Sequence, residues 1–193
     1  MLYRLIIVTV CVVLFINSCN SLISGVTGTH KLRTFTMDYV EQNGIGDSDY
    51  VEITDAWTTG EYRYAPPRRG ESAGALQYPV VSQERFERLD SNLETRIALI
   101  AWTQAYDPNC LERGDCVQEG QTTIKGVVRK MARSKNKTEE LPAIYEVAPR
   151  AIYLETDRAP LAWFWHLAFM AGAILVGAGT EYIYHRRQQR KKG

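Results

Sequence analysis

Two long apolar runs bracket a middle region in which hydrophobic and polar positions alternate over short distances. The C-terminal run, Leu161 to Tyr184, reads LAWFWHLAFMAGAILVGAGTEYIY. At about 1.5 Å per residue it is long enough to cross a hydrocarbon core of about 30 Å, and it predicts a transmembrane helix. Trp163 and Trp165 at one end and Tyr182 and Tyr184 at the other fall where amphipathic rings favour the headgroup region. Pro160 stands at the helix start, where a missing N–H costs little. The N-terminal run, Leu5 to Ile16 (LIIVTVCVVLFI), lies between Arg4 and the polar NSCNS, like the charged start and short apolar core of a signal sequence. Three outcomes are open for it. Extended through Leu22 and Ile23 it is a spanning signal anchor; cleaved before Cys19 it is a lipoprotein signal with Cys19 as the lipidation site, since Ile16-Asn17-Ser18-Cys19 approximates the bacterial lipobox; the third outcome is simple cleavage.

Between the runs, six segments carry the aromatic and β-branched enrichment of strands: 50–57, 61–64, 75–82, 96–105, 122–129 and 151–155. In 50–57, Val51, Ile53 and Asp55 alternate with Glu52 and Thr54, the pattern of a half-buried antiparallel strand. In 96–105, Ile97, Leu99 and Ala101 alternate with Ala98, Ile100 and Trp102, which predicts a central strand buried on both faces. Residues 36–42 and 83–93 predict short helices, the second because Phe86, Leu89 and Leu93 recur at helical spacing. Gly126 inside TIKGVVRK marks a bend or bulge of the kind that closes small barrels. The stretches 65–74, with Arg68 and Arg69, and 132–140, with the sequon Asn136-Lys137-Thr138, read as loops. The expected fold is mainly β with some α, a small antiparallel barrel or sandwich with an OB-like barrel favoured. The expected organisation is residues 1–24 as signal anchor or signal sequence, 25–160 as an extracytoplasmic β-rich domain, 161–184 as the transmembrane helix and 185–193 as a basic cytoplasmic tail.

Composition narrows the function classes. A mean hydropathy of −0.26 over 193 residues excludes a polytopic channel or transporter. Six of the 23 basic residues (Arg4, Arg186, Arg187, Arg190, Lys191, Lys192) and one of the 22 acidic ones (Glu181) lie outside 25–160, which leaves the middle with 17 basic and 21 acidic residues, a net of −4. A domain of that sign lacks the basic face that displaces counterions from phosphates, so nucleic acid is not an expected partner. The basic residues at both ends argue for cytoplasmic termini, with the middle domain on the far side of the membrane.

Candidate chemistry is sparse. Cys110 and Cys116 bracket LERGD after the turn-forming Asp107-Pro108-Asn109, and in an oxidising compartment they are expected to form a disulfide at a hairpin tip. Their spacing is not that of a redox CxxC motif, and no further His or Cys nearby completes a metal site, so neither metal nor cofactor is expected. His30, His166 and His185 all lie in or beside the terminal runs, which leaves no histidine between Lys31 and Trp165 for a Ser-His or Cys-His hydrolase. No catalytic residue is assigned. Trp57, Tyr62, Tyr64, Tyr78 and Trp102 are a candidate aromatic interaction face, with core filling as the competing reading. In the C-terminal helix Ala168 and Gly172 share one stripe, and Ala173 and Gly177 form a small-xxx-small pair beside it, a pattern for close helix approach.

The layout of one spanning segment at each end of a β-rich domain resembles that of SURF-type cytochrome oxidase assembly factors. The C-terminal His/Tyr/Trp pattern of that family has no counterpart in HRRQQRKKG, so the resemblance is one of layout. The expectation is a membrane-anchored, non-enzymatic interaction or assembly protein that meets membrane lipids and a membrane or envelope protein partner. Two alternatives stand beside it: a membrane-surface enzyme acting on lipid or envelope polymer through carboxylates such as Asp55 and Glu61, and a small regulatory or sensor subunit of a transporter.

Overall fold

The computed structural model describes residues 2–67, 73–89, 95–129 and 145–190. The Arg68–Arg69 loop, Leu93, the 132–140 stretch with its Asn136 sequon, and Lys191 and Lys192 lie outside them. The chain divides into two compact units, the terminal segments Met1–Lys31 and Pro160–Gly193 as one and Leu32–Ala159 as the other.

The Leu32–Ala159 unit is mixed α and β. After the N-terminal helix α1 (Leu2–Val26), strand β1 (Arg33–Thr36) leads directly into helix α2 (Met37–Asn43). Thr36 caps α2 by accepting the Tyr39 N–H at 3.4 Å, and Gly44 ends it at φ +72°. There follow β2 (Tyr50–Thr58), β3 (Arg63–Ala65), β4 (Ala75–Val81), α3 (Gln83–Leu89), β5 (Thr95–Thr103), α4 (Cys110–Arg113), β6 (Gly120–Val128) and β7 (Tyr145–Glu155). Five strands close on themselves in the order β2-β6-β7-β5-β4 and back to β2, with β1 and β3 added at edges. All barrel pairings are antiparallel except β5 with β7.

Two short seams close the barrel. On one edge β2 pairs with parallel β1 through Thr54, then with β4 at Trp57 and Thr58. Between these partners the register of β2 shifts, and Asp55 takes φ +53°, a conformation tolerated by Asp better than by most residues. The bulge corrects the simple alternation: after Val51 and Ile53 the buried positions are Ala56 and Thr58, and Asp55 is exposed. The other seam joins β6 to β7 at Val127 and Val128. Gly126 sits beside it, where a Cβ would lie 2.3 Å from the Glu155 carbonyl oxygen. Its role is therefore close backbone approach, and the bulge expected there lies in β2 instead.

Residues from all five barrel strands (Ile53, Val80, Leu99, Ile124 and Leu154 among them) fill one core, which α2 covers with Met37 and Val40. A second cluster forms where α3 lays Phe86 and Leu89 against Val81, Ile97, Ile100 and Tyr153. Strand β5 supplies both clusters and is buried on both faces. The Glu41 carboxylate joins the two helices, accepting from Ser82 N–H and hydroxyl at 3.0 Å each and from Arg85 at 2.8 Å, just before the start of α3. A carboxylate at that point satisfies otherwise unpaired amide donors and complements the helix dipole.

The other unit consists of α1 (Leu2–Val26) and α5 (Trp163–Gln189). Both are long and apolar enough to cross a membrane, and only 11% and 6% of their most apolar windows are buried, unlike the core helix of a soluble protein. The short apolar core of the N-terminal run lies in one continuous helix that extends through NSCNSLISG to Val26. The two helices are antiparallel: Arg4 bonds Glu181 at 2.7 Å, Cys11 lies opposite Gly177, and Cys19 Sγ is 3.4 Å from Met170 Sδ. Residues 185–189 continue α5, so the start of the basic tail is helical.

Candidate functional site

The longest described excursion between barrel strands joins β5 to β6 over residues 104–119. Asp107 starts a turn by accepting the Asn109 N–H at 3.0 Å, and the chain then makes the single helical turn α4. Gly114, at φ +76°, ends that turn and returns its N–H to the Cys110 carbonyl at 2.8 Å. Cys110 and Cys116 are disulfide bonded across this reversal with Cα atoms 4.8 Å apart. The bond therefore staples a capped helical turn where the sequence suggested a hairpin tip. The Thr58 hydroxyl donates to the Gln118 carbonyl at 2.6 Å and fastens the returning chain to the barrel.

Between this stapled excursion and the barrel mouth lies a cleft of about 610 Å³. Its lining includes Tyr106, Arg113, Gln118 and Glu119 from the excursion, and Tyr78, Thr122, Lys125 and Thr156 from the barrel strands and the chain just after β7. Arg113 is shared between Asp115 at 3.0 Å and Asp107 at 3.6 Å, and these carboxylates hold its guanidinium above the usual value. Burial raises the Tyr78 phenol; its bond with Thr156 opposes that shift and the nearby Asp157 adds to it. Burial and the neighbouring Tyr64 raise the Tyr106 phenol. Both phenols are therefore neutral hydrogen-bonding groups at neutral pH. The cleft offers hydroxyls, amides, two rings and charges of both signs, groups able to donate and accept hydrogen bonds and to pair with ions of either sign.

The five aromatic residues singled out in the sequence occupy separate environments. Trp57 packs on Phe86 with ring centroids 4.8 Å apart, and the Trp102 indole donates to the Arg129 carbonyl at 3.0 Å. Tyr64 meets Tyr106 edge-on at 6.1 Å, Tyr62 is half-buried, and Tyr78 is the member that lines the cleft. Tyr106 is the cleft aromatic that sequence reasoning missed; its position beside the Asp-Pro-Asn turn was the available signal. Asp55 and Glu61 do not line the cleft. Asp55 accepts from Gln121 at 3.3 Å on the exposed bulge, and Glu61 stands beside Tyr145. Burial is the main cause that raises the Tyr145 phenol to about 12; a bond with Thr59 opposes it and the Glu61 carboxylate adds to it. Among the described residues no group of three or more His, Cys, Asp or Glu side chains is placed to hold a metal ion.

In the helix pair, Ala173 is buried against α1 and a Cβ on Gly177 would lie 3.7 Å from that of Cys11. Ala168 and Gly172 line an apolar groove beside this seam, and a Cβ on Gly172 would have no neighbour within 4 Å. The small residues of α5 thus lie along the chain's own N-terminal helix. Cys19 is half-buried beside Met170, and Arg186, Arg187 and Arg190 are exposed at the far end of α5.

The chain matches no family model, no curated protein and no solved structure.

Proposed function

We propose that residues 32–159 form an OB-type barrel held on the extracytoplasmic side of a membrane by two spanning helices, and that the protein is a non-enzymatic docking or assembly component. The barrel reading is supported by strand order: numbered along the chain, the five barrel strands neighbour one another as 1-2-3-5-4-1, with the parallel pair between the third and fifth. The observation that carries the membrane reading is the antiparallel pairing of the terminal helices. It gathers Arg4, Arg186 and Arg187 at one end and both connections to the barrel domain at the other. Under the positive-inside rule the basic end is cytoplasmic. The Cys110–Cys116 bond supports the same sidedness, since disulfides persist in oxidising compartments. Docking is assigned to the stapled cleft, where a small covalent loop holds polar groups in a fixed arrangement before a partner arrives and so reduces the entropy lost on binding.

The test is intact-mass and crosslinking mass spectrometry on the protein extracted from its native membrane. Lys125, on the cleft wall, provides the reactive amine. The expected result is an N-terminal segment retained as an anchor and reproducible crosslinks from Lys125 to one membrane or envelope protein. Tyr106→Ala is expected to weaken that association about fivefold or more, the effect of losing a modest interface hot spot. A diacylated Cys19 overturns the double anchor, and the absence of any crosslinked protein overturns the docking role.

A further inference from the structure

From the helix pair we infer that this protein carries a site for one anionic phospholipid in the cytoplasmic leaflet, with an acyl chain along a groove between α1 and α5 and the headgroup phosphate at Arg186. The inference rests on the membrane-spanning reading above. The groove has a volume of about 460 Å³ and lies between Val8, Val12 and Phe15 of α1 and Ile174, Gly177 and Ala178 of α5. Gly177 and Ala178 leave its floor open because they have little or no side chain. At Glu181 the groove meets a second, polar cleft of about 620 Å³, whose lining includes Arg4, His185, Arg186 and Gln189.

Three features select a lipid as the occupant. The first is length: from Phe15 to Arg4 the helix rises about 16 Å, roughly half of a 30 Å hydrocarbon core, which is the depth of one acyl chain in one leaflet. The second is alignment. Ala178, Tyr182, Arg186 and Gln189 follow one another at three- and four-residue spacings, so the apolar and polar parts belong to one face of α5. The third is charge. Arg4 already neutralises Glu181, and its guanidinium also lies 4.0 Å from the centre of the Tyr184 ring. Arg186 has no acidic partner among the described residues, which leaves the polar cleft with an uncompensated positive charge. A phosphodiester meets that charge without displacing the ion pair, and the groove then covers one chain of the same molecule.

The test uses the full chain extracted in mild detergent, incubated with dioleoyl phosphatidylglycerol or dioleoyl phosphatidylcholine, and analysed by native mass spectrometry. The expected result is a monomer retaining one phosphatidylglycerol at least about fivefold more than phosphatidylcholine, the preference expected from about one basic residue near the headgroup. Arg186→Gln is expected to abolish the preference. Ala178→Phe, at an exposed position that does not press into the helix seam, is expected to reduce retention of both lipids. Equal retention of the two lipids, an unaltered Ala178→Phe variant, or a lipid-free dimer seated through this face each overturns the inference. Alkaline carbonate extraction separates the two readings. A chain that resists extraction but shows no preference overturns the lipid site alone; a chain that washes off the membrane overturns both.

Discussion

A methyl group at Gly126 would meet the backbone of Glu155 and Thr156, at 2.3 Å from a carbonyl oxygen and 3.0 Å from a Cα, and backbone at a barrel seam has little room to yield. Gly126→Ala is therefore expected to destabilise the domain by about 1–3 kcal/mol, as overpacking does, in a thermal or urea unfolding experiment. Gly172→Ala meets nothing within 4 Å and is expected to leave stability unchanged or slightly raised. Tyr145 gives a pH prediction. Its phenol, raised to about 12 in the folded chain, ionises near 10 when unfolded, so the unfolded state loses its proton first as pH rises. The stabilising contribution is complete below pH about 10 and is lost progressively between about 10 and 12. Tyr145→Phe should flatten the alkaline limb of a stability-against-pH curve over that window; an identical limb would reject the assignment. The sequence marked Gly126 but not its reason, because whether a strand glycine bends a strand or admits a neighbour depends on what crosses it. The alternation that would point Asp55 inward holds only to Ile53; the bulge follows from β2 exchanging β1 for β4, a long-range event with no local signature.

At the scale of elements, the strands rich in Val, Ile and aromatic residues were legible within a residue or two from β2 to β6, and β7 proved longer at its N-terminal end. Strand β1 was not legible, since RTFT is too short to show a period and pairs only because β2 offers it an edge. Helix α4 was not legible either. Four residues cannot nucleate a helix alone, and this turn exists within a covalent loop closed at Cys116 and capped by Gly114. Reducing the disulfide, or replacing both cysteines with serine, is therefore expected to cost about 2–3 kcal/mol through the loop entropy returned to the unfolded chain. Unfolding with and without reductant measures this directly. The same variants should weaken crosslinking through Lys125, because the wall of the cleft loses its staple. A stability loss with undiminished crosslinking would separate the disulfide from docking.

For the whole molecule, the testable consequence is sidedness. In sealed, right-side-out vesicles, a protease added outside is expected to cut within the barrel domain and leave the C-terminal basic segment protected; in inverted vesicles the pattern should reverse. Protection of the barrel domain in right-side-out vesicles would refute the proposed orientation. The sequence by itself determined the features that depend on composition along a continuous stretch: two apolar helices, basic residues at the outer ends of both, short strands between them, and a closely spaced cysteine pair. Each of these is local, because a solvent transfer preference or a strand period is written in neighbouring residues. Only the tertiary structure decided which strands close the barrel, which face of α5 meets α1, and which aromatic residues reach a common cleft. Those outcomes depend on residues far apart in the chain, where one bulge redirects the side chains beyond it and a missing Cβ permits two backbones to meet.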